Sequence, residues 1–162
     1  MSSSRRACSS SCASSGASSS ARAILFVQAH GLAVCAVARV EARGLQFHQC
    51  LQAVRFGMVS DHGKNLTDTR RVARENKVSL ASTPDIRAME AQGRSEEQAL
   101  GKLSGAAYST AYVDAMVKGH TEVLDKLDSK LIPGASDPEV VAHLKATREA
   151  VSMHLAAAKA LK

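Results

Sequence analysis

Hydrophobic residues recur at helical spacing along the second half of the chain, in two long stretches. One stripe follows residues 106–131 and the other follows residues 137–161. The first stripe consists of Tyr108, Tyr112, Ala115, Met116, Val123, Leu127 and Leu131. The second consists of Val140, Leu144, Thr147, Val151, His154, Ala158 and Leu161. Each stripe gives its helix one apolar face backed by charged residues, so each helix needs a partner to cover that face.

Capping signals predict where these two helices end and begin. Pro133 and Gly134 stop the helix over 106–131, because proline lacks the backbone N–H and glycine favours helix ends. Ser136 and Glu139 then form an S-x-x-E capping box, which starts the last helix. The connection between the two helices is therefore short.

Two further helices are predicted upstream. The first covers about 50–76. The second has Thr83 as its N-cap and Pro84 at its first helical position, and it extends to about Leu103, with a bend or break at 104–105. Short connections between long helices favour antiparallel neighbours. The pattern therefore predicts an all-α fold, an up-and-down four-helix bundle.

Composition agrees with a helical fold in one domain. Aromatic residues make up only 3% of the chain and there is no Trp, whereas β-sandwiches and barrels rely on aromatic and β-branched residues. A chain of 162 residues is by default one domain. We place the helical-bundle domain at 54–162 and a disordered Ser-rich leader at 1–21. The segment between them, 22–53, contains a first helix over about 23–43 that Gly31 interrupts, or a signal segment.

The residues before the domain fit several interpretations. Arg22, an apolar stretch and the A-x-A sequence at 36–38 fit a signal peptide, which predicts a periplasmic or otherwise exported protein. An Arg- and Ser-rich segment poor in acidic residues also fits an organellar transit peptide or a disordered tail. A composition without Lys or Asp also fits a frameshifted, non-native reading of a GC-rich gene. The apolar run at 23–38 is too short and broken to cross a bilayer, so we predict no integral membrane span.

The positive charge of the chain is concentrated in this first part. The whole chain has a formal net charge of +6 and a pI near 9.4. Residues 1–60 contain six Arg and one acidic residue, whereas residues 61–162 contain fifteen basic and fourteen acidic residues. The predicted domain is therefore nearly neutral and lacks the basic surface typical of nucleic-acid binders. We predict that nucleic acid is not a partner.

Methionine and histidine repeat at one spacing in two of the predicted helices. Met58 and His62, like Met116 and His120, occupy positions i and i+4 of an M-V-x-x-H motif, so each pair lies on one helix face. His154 lies in the stripe of the last helix. The three histidines are therefore expected to point into one bundle interior from three helices.

Two interpretations of these residues are open. Imidazole suits copper, zinc and iron, and a thioether adds a preference for Cu(I), so copper or another transition metal is the candidate cofactor. The candidate metal ligands are His62, His120, His154, Met58 and Met116. Alternatively, each histidine is a buried polar residue hydrogen-bonded across the bundle, for example to Tyr112 or Asp61, and the methionines fill gaps.

The sequence lacks the residue patterns of several enzyme classes. No E-x-x-H motif of a di-iron carboxylate bundle is present. There is also no G-x-S-x-G nucleophile elbow, no P-loop and no G-x-G-x-x-G. Cys8, Cys12, Cys35 and Cys50 include no C-x2-C pair, which argues against a structural zinc site. We therefore expect a non-enzymatic protein without an assured cofactor.

Several segments resemble one bacterial family in order and spacing. They are MVSDHGK at 58–64, LSGAAY at 103–108, YVDAMV at 112–117 with His120, and HLAAA at 154–158. The family is catalogued as domain of unknown function 4142 and is often labelled a predicted outer-membrane or periplasmic protein. The resemblance covers about 54–161. It implies an exported, ferritin-like four-helix bundle without an established activity.

The resemblance also carries residues and a role with it. The matching positions are Asp61, His62, Tyr112, Met116, His120 and His154. The segment 31–52 departs from the Ala/Gly-rich, Glu-bearing first helix of the family. The resemblance implies a non-enzymatic cell-envelope or stress-related protein, with a homo-oligomer or a cell-envelope protein as partner. A periplasmic metal-binding bundle protein is the alternative.

Overall fold

The computed structural model describes residues 20–27, 49–80 and 82–162, and it is all-α over these ranges. The helices are α1 (20–27), α2 (Gln49–Glu75), α3 (Pro84–Leu100), α4 (Gly105–Lys126) and α5 (Pro138–Lys159). A π-helical turn, Leu127–Leu131, and a short α-helical turn, Ile132–Gly134, continue α4. The predicted all-α class is confirmed.

The start of α3 agrees with the prediction, and the start of α5 corrects it. The Thr83 side chain accepts a hydrogen bond from the backbone N–H of Ile86, with Pro84 in the first turn. At α5 the predicted capping box on Ser136 is wrong, because Asp137 is the N-cap and its carboxylate accepts the N–H groups of Glu139 and Val140. A carboxylate satisfies two helix donors and also favours the positive end of the helix dipole.

The helix α3 ends earlier than predicted, at Leu100 rather than near Leu103. The break at 104–105 is confirmed: Ser104 is extended and Gly105 has φ 66°, a left-handed conformation that glycine adopts without steric cost. At the end of α2, Lys77 has φ 54°, and the next N–H bonds back to the carbonyl of Ala73. This is a left-handed helix cap built on a residue with a Cβ.

The end of α4 also differs from the prediction of a helix over 106–131 that stops before Pro133. The α-helix gives way to a π-helical turn at Leu127, and helical backbone continues through Pro133 to Gly134. A proline in an α-helix clashes with the carbonyl four residues before it. The wider π-helical turn lies where this clash would fall, which lets the helical path pass the proline.

The helices α2, α4 and α5 enclose the core. The helices α2 and α5 are antiparallel. Thr69, later in α2, contacts His143, early in α5, whereas Asp61, earlier in α2, contacts His154, late in α5. The helices α2 and α4 run in the same direction, because Met58 contacts Tyr112 and, further along both helices, the ring of His62 lies against the ring of His120. The helix α3 packs against α4.

Two apolar clusters fill the two ends of this core. One contains Leu51, Met58, Leu100, Tyr108, Tyr112, Val113, Met116 and Ala158. The other contains Ala23, Ile24, Val27, Val72, Ala73, Val123, Leu127, Val140, Leu144 and Val151. The second cluster includes α1, whose Ile24 and Val27 are almost fully buried. Between the two clusters lies a layer of histidines.

The helix α1 begins inside the leader predicted at 1–21, and its Ser20 and Ala21 are buried. The remainder of that leader, the A-x-A sequence at 36–38 and most of the predicted first helix lie outside the described residues. Within the described helices, none is long and apolar enough to cross a membrane.

Candidate metal centre

The histidine layer is built from one residue on each of α2, α4 and α5. His62, His120 and His154 are 3%, 0% and 7% exposed, respectively. One nitrogen from each ring lies within 4.8 Å of a nitrogen of each of the other two. The ring centroids are 5.0–5.7 Å apart. The structure thus brings together the three histidines that the helical spacing predicted to converge.

The ring of His154 is oriented by a carboxylate on α2. Its Nε2 lies 3.0 Å from Oδ2 of Asp61, whose side chain is about half exposed. A carboxylate accepts hydrogen bonds, so Nε2 donates to Asp61, and in the neutral form of the ring the lone pair is on Nδ1. This Nδ1 is buried and has no hydrogen-bond partner among the described residues.

The ring of His120 is oriented by its own helix. Its Nδ1 donates to the backbone carbonyl of Met116 at 2.8 Å. The lone pair of the neutral ring is therefore on Nε2, which is also buried. Burial lowers the pKa of His120 from 6.5 to about 4, although the bond to Met116 opposes this shift. The imidazole of His120 is thus neutral near pH 7, which is the state that binds metal ions.

The two predicted methionines lie one helical turn from the histidines, in the apolar cluster of the tyrosines. Met58 and Met116 are buried there. The Sδ atom of Met58 accepts a hydrogen bond from the hydroxyl of Tyr112 at 3.5 Å. Tyr112, which the alternative interpretation offered as a partner for histidine, therefore donates to sulfur. The structure separates the five candidate ligands into a histidine group and a methionine group.

A second buried polar group, further along α2 and α5, was not predicted from the sequence. Nε2 of His143 lies 2.9 Å from the hydroxyl of Thr69, which itself donates to the carbonyl of Asn65. The amide of Asn65 also donates to the hydroxyl of Thr147. The sequence predicted that Thr147 is buried, but not that it is hydrogen-bonded to Asn65. The spacing of Glu139 and His143 within one helix carried no information about a partner on another helix.

The histidine layer has the donor set of a transition-metal site. Three imidazoles converge, and two of them are held through their other ring nitrogen, His154 by the carboxylate of Asp61 and His120 by the carbonyl of Met116. Such outer bonds typically fix the tautomer of metal-binding histidines. Around a tetrahedral Zn²⁺ with Zn–N distances of about 2.0–2.1 Å, ligand nitrogens lie about 3.3 Å apart. The nitrogens of the layer lie within 4.8 Å of one another, so they would move closer together on binding such an ion.

Over the described residues, the fold and this layer define an all-helical domain with a buried group of three histidines. The family model described as a domain of unknown function (DUF4142) matches residues 56–161, and the chain belongs to this family. The match includes all three histidines and Asp61. No curated protein and no solved structure shows a significant match to the chain.

Proposed function

We propose that the protein binds one transition-metal ion through His62, His120 and His154. The observation that supports this most directly is the pair of outer hydrogen bonds, from His154 to Asp61 and from His120 to Met116. In the neutral form of each ring, these bonds leave the lone pair on the other ring nitrogen, which is buried. One of these two nitrogens, Nδ1 of His154, has no partner in the described part of the chain. Buried polar atoms are normally bonded, so an ion in this layer would satisfy it.

A binding role fits this geometry better than an enzymatic one. A catalytic metal site keeps one coordination position open to water or substrate. All three histidines are buried and His120 is fully so, which would shield an ion from substrates. We therefore propose a non-enzymatic metal-binding protein.

The test compares matched buried histidines in the full chain. Cysteines also bind these metals, so the thiols are first blocked with N-ethylmaleimide. The metal-free chain is then dialysed separately against Cu(I) in ascorbate without oxygen, against Cu²⁺ and against Zn²⁺, with bound metal measured by mass spectrometry and stability by thermal melting. At 100 times the dissociation constant, binding adds about 2.7 kcal/mol to stability. We expect one ion per chain in the wild type and none in His120→Asn or His154→Asn.

His143→Asn is the matched control for these variants. His143 is also buried and lies on the same helix as His154, but it bonds to Thr69 outside the three-histidine layer. This variant should keep the bound ion. If the wild type binds no ion, or if the layer variants retain it, the proposal is wrong.

We also propose export and a ferritin-like four-helix bundle, both implied by the family resemblance. The antiparallel direction of α5 relative to α2, and the parallel direction of α4 relative to α2, support the bundle, and an experimental structure tests it. Cleavage of an exported protein after residue 38 would remove α1, and with it the buried side chains of Ile24 and Val27. Intact-mass analysis of the protein from its native source decides between a retained and a removed α1.

A further inference from the structure

We infer that the ion of this centre is Cu(I), held by the imidazole nitrogens of His62, His120 and His154 without a fourth ligand from the described part of the chain. This inference rests on the proposed metal-binding function and names the ion for the same three histidines.

The number of ligands favours an ion that is stable with three. Among the described residues, His62, His120 and His154 form the only group of three or more His, Cys, Asp or Glu side chains close enough to hold one ion. A structural Zn²⁺ site has four protein ligands, and a catalytic one adds a water in an accessible position. Cu(I) has a filled d shell and forms stable planar three-coordinate complexes. Three buried imidazoles with no fourth ligand among the described residues therefore suit Cu(I) better than Zn²⁺.

The charge of the layer favours a monovalent ion. The three rings are neutral ligands, and no described carboxylate lies among the ligand atoms. Asp61 contributes its negative charge only through the far nitrogen of His154. One negative charge beside one monovalent cation leaves the centre neutral, whereas a divalent ion would leave a net positive charge in a buried layer. Uncompensated buried charge is strongly unfavourable.

The surroundings of the layer are soft and polarizable on one side. Met58 and Met116 lie one helical turn before the histidines of their own helices, in the adjacent apolar cluster. Because these sulfurs are not ligands, they act as an apolar surrounding, which disfavours a divalent ion more strongly than a monovalent one. The hydrogen bond from Tyr112 holds the sulfur of Met58 in the apolar cluster. We therefore place the thioethers beside the ion and the nitrogens on it.

A competition experiment tests the identity of the ion. The thiol-blocked full chain is titrated anaerobically with the Cu(I) complex of bicinchoninate, in ascorbate, and loss of the coloured complex measures transfer to the protein. We expect one Cu(I) per chain, which an excess of Zn²⁺ does not displace. His120→Asn and His154→Asn should lower the affinity by more than the roughly 100-fold that loss of an outer hydrogen bond can cause. His143→Asn should leave it unchanged.

X-ray absorption on the copper-loaded chain tests the coordination. We expect the edge of three-coordinate Cu(I) and a first shell of nitrogen alone. Sulfur in the first shell would overturn the three-nitrogen centre. Binding of Zn²⁺ in preference to Cu(I) would overturn the inference and leave the proposed metal-binding function standing. Failure of every tested metal to bind would overturn both.

Discussion

Acidification should destabilise the metal-free protein through His120, and the effect can be isolated with one substitution. The folded-state pKa of this imidazole is lowered from 6.5 to about 4 by burial. A lowered folded-state pKa means that the unfolded chain takes up the proton first. The contribution of the neutral His120 ring to the free energy of unfolding is therefore fully present above about pH 6.5, and it is lost as the pH falls from 6.5 towards 4.

The magnitude follows from the two pKa values. Each unit of pKa difference corresponds to about 1.4 kcal/mol, so the whole shift is worth about 3 kcal/mol. Lowering the pH from about 7.5 to about 5 realises about 2 kcal/mol of it, because the folded ring is still mostly neutral at the lower pH.

Urea unfolding followed by far-ultraviolet circular dichroism, with EDTA present, measures this change. His120→Leu removes the titrating group, so the variant should lose about 2 kcal/mol less than the wild type over the same pH step. The comparison uses the change with pH within each protein, and the stability of the variant at neutral pH does not enter it. His120→Asn serves if the Leu variant does not fold. Equal pH dependence in wild type and variant would refute the reasoning.

Three other substitutions or deletions test separate parts of the structure. Asp61→Asn should weaken metal binding by about 10–100-fold, because it removes the charged partner of His154, whereas Asp68→Asn, on the same helix, should not; equal effects in both would refute the role of Asp61. Lys77→Gly should raise the free energy of unfolding by about 0.5–1 kcal/mol, because relief of the left-handed strain at φ 54° exceeds the entropy cost of glycine in the unfolded chain; a loss of stability in urea would count against the left-handed cap. Deleting residues 1–27 should lower stability by about 3 kcal/mol or more and increase binding of a hydrophobic dye, relative to deletion of 1–19, since only the longer deletion removes α1 from the core. Equal melting temperatures for the two deletions would show that α1 is not part of the core.

The sequence predicted the long helices well because their signals are local and repeated. Apolar stripes at three- and four-residue spacing identified α4 and α5, and Thr83 and Pro84 marked the start of α3. The exact caps were harder, since Ser136 and Asp137 are both good N-caps and only the backbone path decides between them. The π-helical turn at Leu127–Leu131 has no local signal, because it depends on how the helix passes Pro133.

The site shows the same division between local and long-range information. The i and i+4 spacing of Met58 and His62 predicted which side chains face inwards, and the structure brings His62, His120 and His154 together. Pairings between helices depend on their relative axial positions, which the spacing within one helix does not determine. The contact of His143 with Thr69, and the choice of Met58 rather than a histidine as the partner of Tyr112, were therefore missed.

The position of the histidine layer between two apolar clusters has a consequence for the alignment of the helices. Apolar stripes rich in Ala, Leu and Val would pack almost equally well after one helix slides along another by a turn, about 5.4 Å. Such a slip would move one imidazole opposite an apolar side chain such as Val123, where its polar nitrogens would be buried without partners. The layer therefore penalises every shifted register of α2, α4 and α5. Three histidines specify the axial alignment that the apolar residues alone would leave degenerate.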